Sequence, residues 1–162
     1  MTIWRTKLRG SEFKVTRLSD ALPSAAVLDN PERLVDYLRP QLTASLLYRP
    51  DVENFMVVHL NTRRKAIGFE IISTGTLDTL LVHSREVFKS AILTNAAAIA
   101  IAHNHPSGDA GPSEADIKVT RDLIRAGQLL KIEVVDHLIL GQATPEQPKA
   151  WSSLRELGYF YA

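Results

Sequence analysis

The sequence predicts an α/β protein in which one mixed β-sheet, flanked by helices, forms a single domain. Apolar runs of strand length alternate with stretches whose apolar residues recur at helical spacing. The chain has 162 residues, 45% of them hydrophobic, enough to bury one core and hardly two. No internal repeat or low-complexity segment divides it.

Residues 1–17 carry Arg5, Lys7, Arg9, Lys14 and Arg17 against Glu12 alone, so residues 1–29 read as a basic arm and 30–162 as the domain. Such an arm reads first as a solvated terminal strand or docking segment holding Trp4 and Phe13, and only secondarily as a nucleic-acid contact. Asn30-Pro31-Glu32 is an N-cap with proline at the first helical position; the helix carries Leu34, Val35 and Leu38, and Pro40 interrupts or ends it. Two apolar strands near 53–60 and 66–73 flank the polar connection Asn61–Lys65, a hairpin. After Gly75 comes a short strand, then a helix capped near Ser84 with Val87, Phe88, Ala91 and Ile92 on one face. Ala96–Ala102 reads as a strand buried on both faces, with a helix as the alternative that its alanine content leaves open. A helix opening at Ser113 carries the stripe Val119, Leu123, Ala126, Leu130, and a strand covers 131–140. The tail, with Trp151 and Tyr159-Phe160-Tyr161, packs back as a short helix or an extended segment.

The chemistry concentrates after the alanine-rich run, in His103-Asn104-His105 followed by Pro106-Ser107-Gly108-Asp109 and then Ser113 and Asp116. Alternate residues of a strand share a face, so His103 and His105 point the same way if extended backbone persists through Asn104. Pro106–Asp109 is turn chemistry and ends the strand. Ser113-x-x-Asp116 places a carboxylate in the first turn of the next helix, within reach of both imidazoles. Two nitrogens and an oxygen suit Zn2+, and three protein ligands leave a coordination position for water, as a hydrolytic site needs. The plainer alternatives are a helix cap for Ser113 and Asp116 and solvated loop histidines; the cap and ligand roles are compatible.

His-x-His, seven residues, Ser, two residues, Asp is the JAMM (MPN+) metalloprotease motif, and His103-Asn-His-Pro-Ser-Gly-Asp109 with Pro112-Ser-x-x-Asp116 resembles its RadC-type bacterial branch. Ser73–Leu77, Val82–Phe88, Asn95–Ala98 and Asp136–Ile139 fall in the order such domains show, so the resemblance covers Pro50 to the C-terminus. It implies a JAB/MPN fold with a layout related to the cytidine deaminases, and zinc held by His103, His105 and Asp116. By the same resemblance Glu53, at a strand start after the first helix, is the general acid/base, with Glu70 and Glu86 as competitors. Ser113 becomes the hydrogen-bond donor to the tetrahedral oxyanion. Full-length RadC-type proteins usually carry a helix-hairpin-helix segment ahead of this domain, and the residues before 30 are too few for one.

Other readings fall away. An HNH nuclease spreads those three residues over a hairpin and a helix, there is no His-Glu-x-x-His, and the absence of cysteine excludes a cysteine-ligated deaminase site. His59 reads as a satisfied core histidine, His83 as a residue before a helix cap. His137, beside Asp136, makes a structural hydrogen bond, with support of the metal site as the alternative. Lack of cysteine suits a reducing cytosol, no apolar stretch approaches a membrane span, and the N-terminus lacks the apolar run of a signal peptide, so the expectation is a cytoplasmic protein. The net charge of +1 gives no global pull on nucleic acid. Two function classes follow: a zinc-dependent peptidase or isopeptidase acting on a protein or peptide amide, and a non-catalytic RadC-like interaction module associated with DNA metabolism. No motif specifies the oligomeric state.

Overall fold

A computed structural model describes residues 4–9, 12–17, 26–75, 82–145 and 148–161. Its elements run β1 (Trp4–Arg9), β2 (Glu12–Arg17), α1 (Pro31–Ala44), β3 (Asn54–Leu60), β4 (Ala66–Thr74), α2 (Ser84–Leu93), β5 (Ala98–Asn104), α3 (Glu114–Leu130), β6 (Glu133–Leu140) and β7 (Trp151–Ser153). β1 and β2 pair antiparallel in a ribbon of their own, Leu8 opposite Phe13. The other five strands form one mixed sheet in the order β4-β3-β5-β6-β7. Of the pairs in this sheet only β5–β6 is parallel, because the crossover helix α3 returns the chain to the same end before β6 begins. The predicted single-domain mixed sheet with flanking helices is what forms.

The sheet separates two apolar layers. On one face α1 lays Leu34, Val35, Leu38 and Leu42 against Met56, Val58, Ala100 and Leu138. On the other, α2 and α3 bring Val87, Phe88, Ala91 and Leu123 against Phe55, Val57, Ile99 and Ile101. β3 and β5 lie at the centre and are buried along their whole length, which is why both read as near-continuous apolar runs.

Asn30 caps α1 as expected, its side chain accepting from Arg33 N at 2.9 Å. The helix does not stop at Pro40 but continues to Ala44. Proline forfeits one backbone hydrogen bond there, and burial of Leu42 one half-turn later offsets that loss. The hairpin connection is as read: Asn61 Oδ1 accepts from the backbone N–H groups of Arg63 and Lys65 while Arg64 takes a φ of 57°. The short strand expected after Gly75 falls at residues 76–81, outside the described residues.

Both later helices differ in detail from the sequence reading. α2 begins at Ser84 with His83 in the cap position. Its buried face widens toward Ser90, which bonds His59 at 2.9 Å, so Ile92 rotates into solvent at 56% exposure. On α3 the buried line runs through Asp116, Thr120, Leu123 and Gly127, and the predicted Leu130 is 45% exposed. Gly127 decides this: a Cβ there would overlap the Ile132 carbonyl oxygen, so the last turn lies close against the chain leading into β6. The tail settles the open choice as an extended edge strand, Trp151 opposite Leu140, followed by turns that bury Leu154.

Among the described residues no helix is long and apolar enough to cross a membrane.

Candidate metal centre

The site lies where β5 ends and α3 begins. Extended pairing persists past the end of β5, His105 N donating to Leu140 O at 2.9 Å, so the strand alternation holds through Asn104. His103 and His105 therefore project from the same face, and their Nε2 atoms approach to 2.9 Å. His103 is fully buried, its ring stacked on Phe55 across the β3–β5 ladder at a centroid distance of 6.3 Å. The turn chemistry after His105 brings Asp109 O back to accept from His105 Nδ1 at 2.7 Å. A carbonyl only accepts, so the proton of neutral His105 sits on Nδ1 and its Nε2 presents a lone pair to the site.

α3 then delivers Asp116. Ser113 N and Ser113 Oγ both donate to Asp116 Oδ2, at 2.7 and 2.6 Å, and Asp116 N donates to Ser113 Oγ at 3.2 Å. The cap and ligand roles thus divide between two oxygens: Oδ2 belongs to the capping box, while Oδ1 lies 3.1 Å from His103 Nε2.

Glu53 stands immediately before β3, with Oε1 at 3.8 Å from His103 Nε2 and 3.9 Å from His105 Nε2. Its competitors are elsewhere. Glu86 pairs with Arg85 and Lys89 on the exposed side of α2, and Glu70 lies in β4 outside the donor group. One ligating atom from each of Glu53, His103, His105 and Asp116 lies within 4.8 Å of the others.

Two imidazole nitrogens and a carboxylate oxygen, with a second carboxylate beside them, could hold a metal ion. Four-coordinate zinc with ligands at about 2.0–2.2 Å separates neighbouring donors by roughly 3.3–3.6 Å. His103 Nε2 lies 2.9 Å from His105 Nε2 and 3.1 Å from Asp116 Oδ1, His105 Nε2 lies 3.6 Å from the other oxygen, Oδ2, and Glu53 sits outside them. Two imidazole nitrogens facing at 2.9 Å also require a proton or a cation between their lone pairs.

Each ionisable group responds to its neighbours. Burial raises the Glu53 carboxyl above its usual range, with the two imidazoles pulling the other way. The neighbouring Asp116 carboxylate raises the His105 imidazole against the opposing effect of burial. Burial disfavours ionised Asp116, but the two imidazoles beside it and the Ser113 hydroxyl outweigh it and hold the carboxyl far below its usual range. The two carboxyl groups are thus pushed apart, Glu53 upward and Asp116 downward.

His137 does more than the structural bond assigned to it. Asp136 does not pair with its ring: strand alternation sends Asp136 to the opposite face, where Ser153 Oγ and the backbone N–H of Arg155 bond its carboxylate. His137 instead faces His103, Nε2 to Nδ1 at 2.8 Å. Asn104, between the two histidines, is the last residue of β5. Its side-chain amide bonds Val52 O and Asn54 N, at 2.9 and 3.0 Å. The signal was present in the spacing, since residues flanked by ligands on an inner strand must point into the opposite layer. His59 is a core histidine, 1% exposed with Nε2 bonded to Ser90, but it is not fully satisfied: its Nδ1 has no partner among the described residues.

A protein-family model described as a RadC-like JAB domain matches residues 28–159, starting well before Pro50. The chain is 46% identical over 125 residues to a UPF0758 protein of Moorella thermoacetica, covering 77% of this chain and 52% of that protein. A UPF0758 protein of Symbiobacterium thermophilum is 43% identical over 131 residues, 81% of this chain and 51% of its own length. One from Pseudomonas fluorescens is 38% identical over 134 residues, 83% of this chain and 58% of that protein. The chain spans about half the length of the curated relatives it matches.

Proposed function

Because the chain belongs to the RadC-like JAB domain family, we propose that it is a zinc-dependent hydrolase of amide bonds, a peptidase or isopeptidase acting on a protein or peptide. The observation carrying this reading is the placement of Glu53: a carboxylate 3.8 and 3.9 Å from two imidazole nitrogens that, with Asp116, form a tighter set of three donors.

His103, His105 and Asp116 would hold the metal. Bound there, zinc supplies Lewis acidity, acidifying a water and polarising the scissile carbonyl. Glu53 Oε1, 3.8 and 3.9 Å from the two imidazole nitrogens, stands outside the three residues that would hold the metal, and its raised basicity suits it to take a proton from an attacking water. The same carboxyl then returns the proton to the departing nitrogen, so the amide C–N bond breaks without expelling an amide anion. Ser113 Oγ, at the mouth of α3, serves the developing oxyanion by turning its hydroxyl away from Asp116, whose Oδ2 retains the Ser113 N–H. Phe55 and the buried side of the sheet keep bulk water from His103, which strengthens each of these interactions.

Metal content by mass spectrometry tests the reading, using wild type and His103→Ala/His105→Ala purified without chelators. About one zinc per wild-type chain, absent from the variant, together with cleavage in a peptide and isopeptide panel that Glu53→Gln abolishes, supports it. A wild type that cannot be loaded with zinc overturns it and favours the non-catalytic interaction module.

A further inference from the structure

The two histidine ligands are oriented in different ways. His105 is fixed directly by a carbonyl, at Asp109 O. His103 has no such neighbour; its Nδ1 meets another imidazole, His137 Nε2, at 2.8 Å. Which of these nitrogens carries the proton is decided farther along the chain of bonds.

Thr120 Oγ1 lies 2.6 Å from the carbonyl oxygen of Asp116 and 2.6 Å from His137 Nδ1. A hydroxyl has one proton, and the carbonyl can only accept it. Thr120 therefore accepts from His137, placing that ring's proton on Nδ1. His137 is fully buried and, among the described residues, its two ring nitrogens bond Thr120 and His103 with no carboxylate partner to offset a charge, so the ring carries the single proton on Nδ1 and its Nε2 is left bare. The bare Nε2 accepts from His103 Nδ1–H, which leaves the lone pair of His103 on Nε2, the atom facing His105 and Asp116.

We propose that Thr120 and His137 are positioning residues that impose the Nδ1–H tautomer on His103, so that its Nε2 lone pair is committed to the metal. The relay starts at the backbone carbonyl of one ligand residue, Asp116, and ends on the ring of another, His103. Helix α3 thus sets both the position of the carboxylate and the tautomer of an imidazole on β5. Without the Thr120 hydroxyl, His137 is free to move its proton to Nε2, which turns the relay round: His103 Nδ1 must then accept, and its proton moves to the atom that faces the site. The effect on metal rests on reading the four-residue group as a zinc centre; the tautomer assignment does not.

The test has two readouts. Long-range 1H–15N correlation spectra of the metal-free wild type at pH 8 should show His137 protonated on Nδ1 and bare on Nε2, and His103 protonated on Nδ1. In Thr120→Val the His137 proton should move to Nε2. Chelator-competition titrations should then show zinc affinity about 10–100-fold weaker in Thr120→Val and His137→Leu, with Thr120→Ser close to wild type. A wild-type His137 protonated on Nε2, or zinc affinity unchanged in a folded Thr120→Val, overturns the proposal. A wild type that takes no zinc while His137 shows Nδ1–H overturns the metal reading alone and supports the relay.

Discussion

Asn104 brackets Glu53. Its amide nitrogen donates to Val52 O at 2.9 Å and its amide oxygen accepts from Asn54 N at 3.0 Å, so the peptide groups on both sides of Glu53 hang on one side chain. Asn54 reinforces this through its own amide, which bonds Asn104 Oδ1 at 2.8 Å, and Gly75 N bonds Glu53 O at 3.0 Å. The residue between His103 and His105 thus places the carboxylate proposed as acid/base, and one strand end positions it relative to both imidazoles.

Replacing Asn104 with Ala should accordingly separate binding from turnover. Zinc per chain should stay near wild type, because His103 and His105 keep their own partners. The hydrolytic rate should fall at least tenfold as Glu53 loses its registration. Buried polar groups of residues 52–54 left without partners should cost about 1–3 kcal/mol of stability. Metal analysis, kinetics on a cleaved substrate and urea unfolding of the same preparation read the three effects; loss of zinc instead would show that Asn104 shapes the ligands.

Ser113 holds two jobs that two substitutions can pull apart. As the N-cap of α3 it accepts from Asp116 N, and replacing such a cap with alanine costs about 1 kcal/mol, whereas glycine costs only a few tenths. Both substitutions remove the hydroxyl proposed for the oxyanion. Ser113→Gly and Ser113→Ala should therefore lose activity equally, by about 10²–10³-fold, while differing in melting temperature. Activity that follows stability across the pair would reduce Ser113 to a cap.

Gly141 should prove intolerant of a side chain although it touches no ligand. A Cβ there would overlap the Gly108 carbonyl oxygen and meet Ala110 N at 3.0 Å. That loop carries Asp109 O, the atom that orients His105, and is tied to β6 by Gln142 N donating to Gly108 O at 2.8 Å. Gly141→Ala is expected to weaken zinc by about 10–100-fold through His105 alone. Chelator competition on the folded variant measures this.

Mild acidification should pull two buried groups in opposite directions. His59 sits in the core with Nδ1 lacking a partner, and burial lowers its pKa from 6.5 to about 4. Below pH 6.5 the unfolded chain takes up a proton that the folded chain refuses, so this contribution is present above 6.5 and lost as pH falls to about 4. Over that interval it amounts to about 3 kcal/mol. Asp136 works the other way: burial raises its pKa to about 6, so its contribution is complete below the ordinary carboxyl range and is lost as pH rises through 6. Relative to wild type, His59→Gln should raise the urea midpoint at pH 4 against that at pH 7, and Asp136→Asn should lower it. Equal pH dependence in wild type and His59→Gln would contradict the assignment.

The sequence by itself determined the α/β layering, the order of elements and the membership of His103, His105 and Asp116 in one group that could hold a metal. These depend on local rules: strand alternation puts residues two apart on one face, turn residues end a strand, and a Ser-x-x-Asp pair opens a helix. It also ranked Glu53 first among the glutamates, by resemblance. Only the tertiary structure decided what depends on register between elements distant in the chain. The β5–β6 pairing sets His137 against His103 and turns Asp136 to the far face. The β3–β5 pairing lets Asn104 reach both neighbours of Glu53. Close packing at Gly127 rotates α3 so that Thr120, rather than Leu130, faces inward. Within one strand the two-residue period is covalent geometry, legible in the letters. Which residue of a second strand lies opposite depends on the packing of the whole core, and no local spacing encodes it.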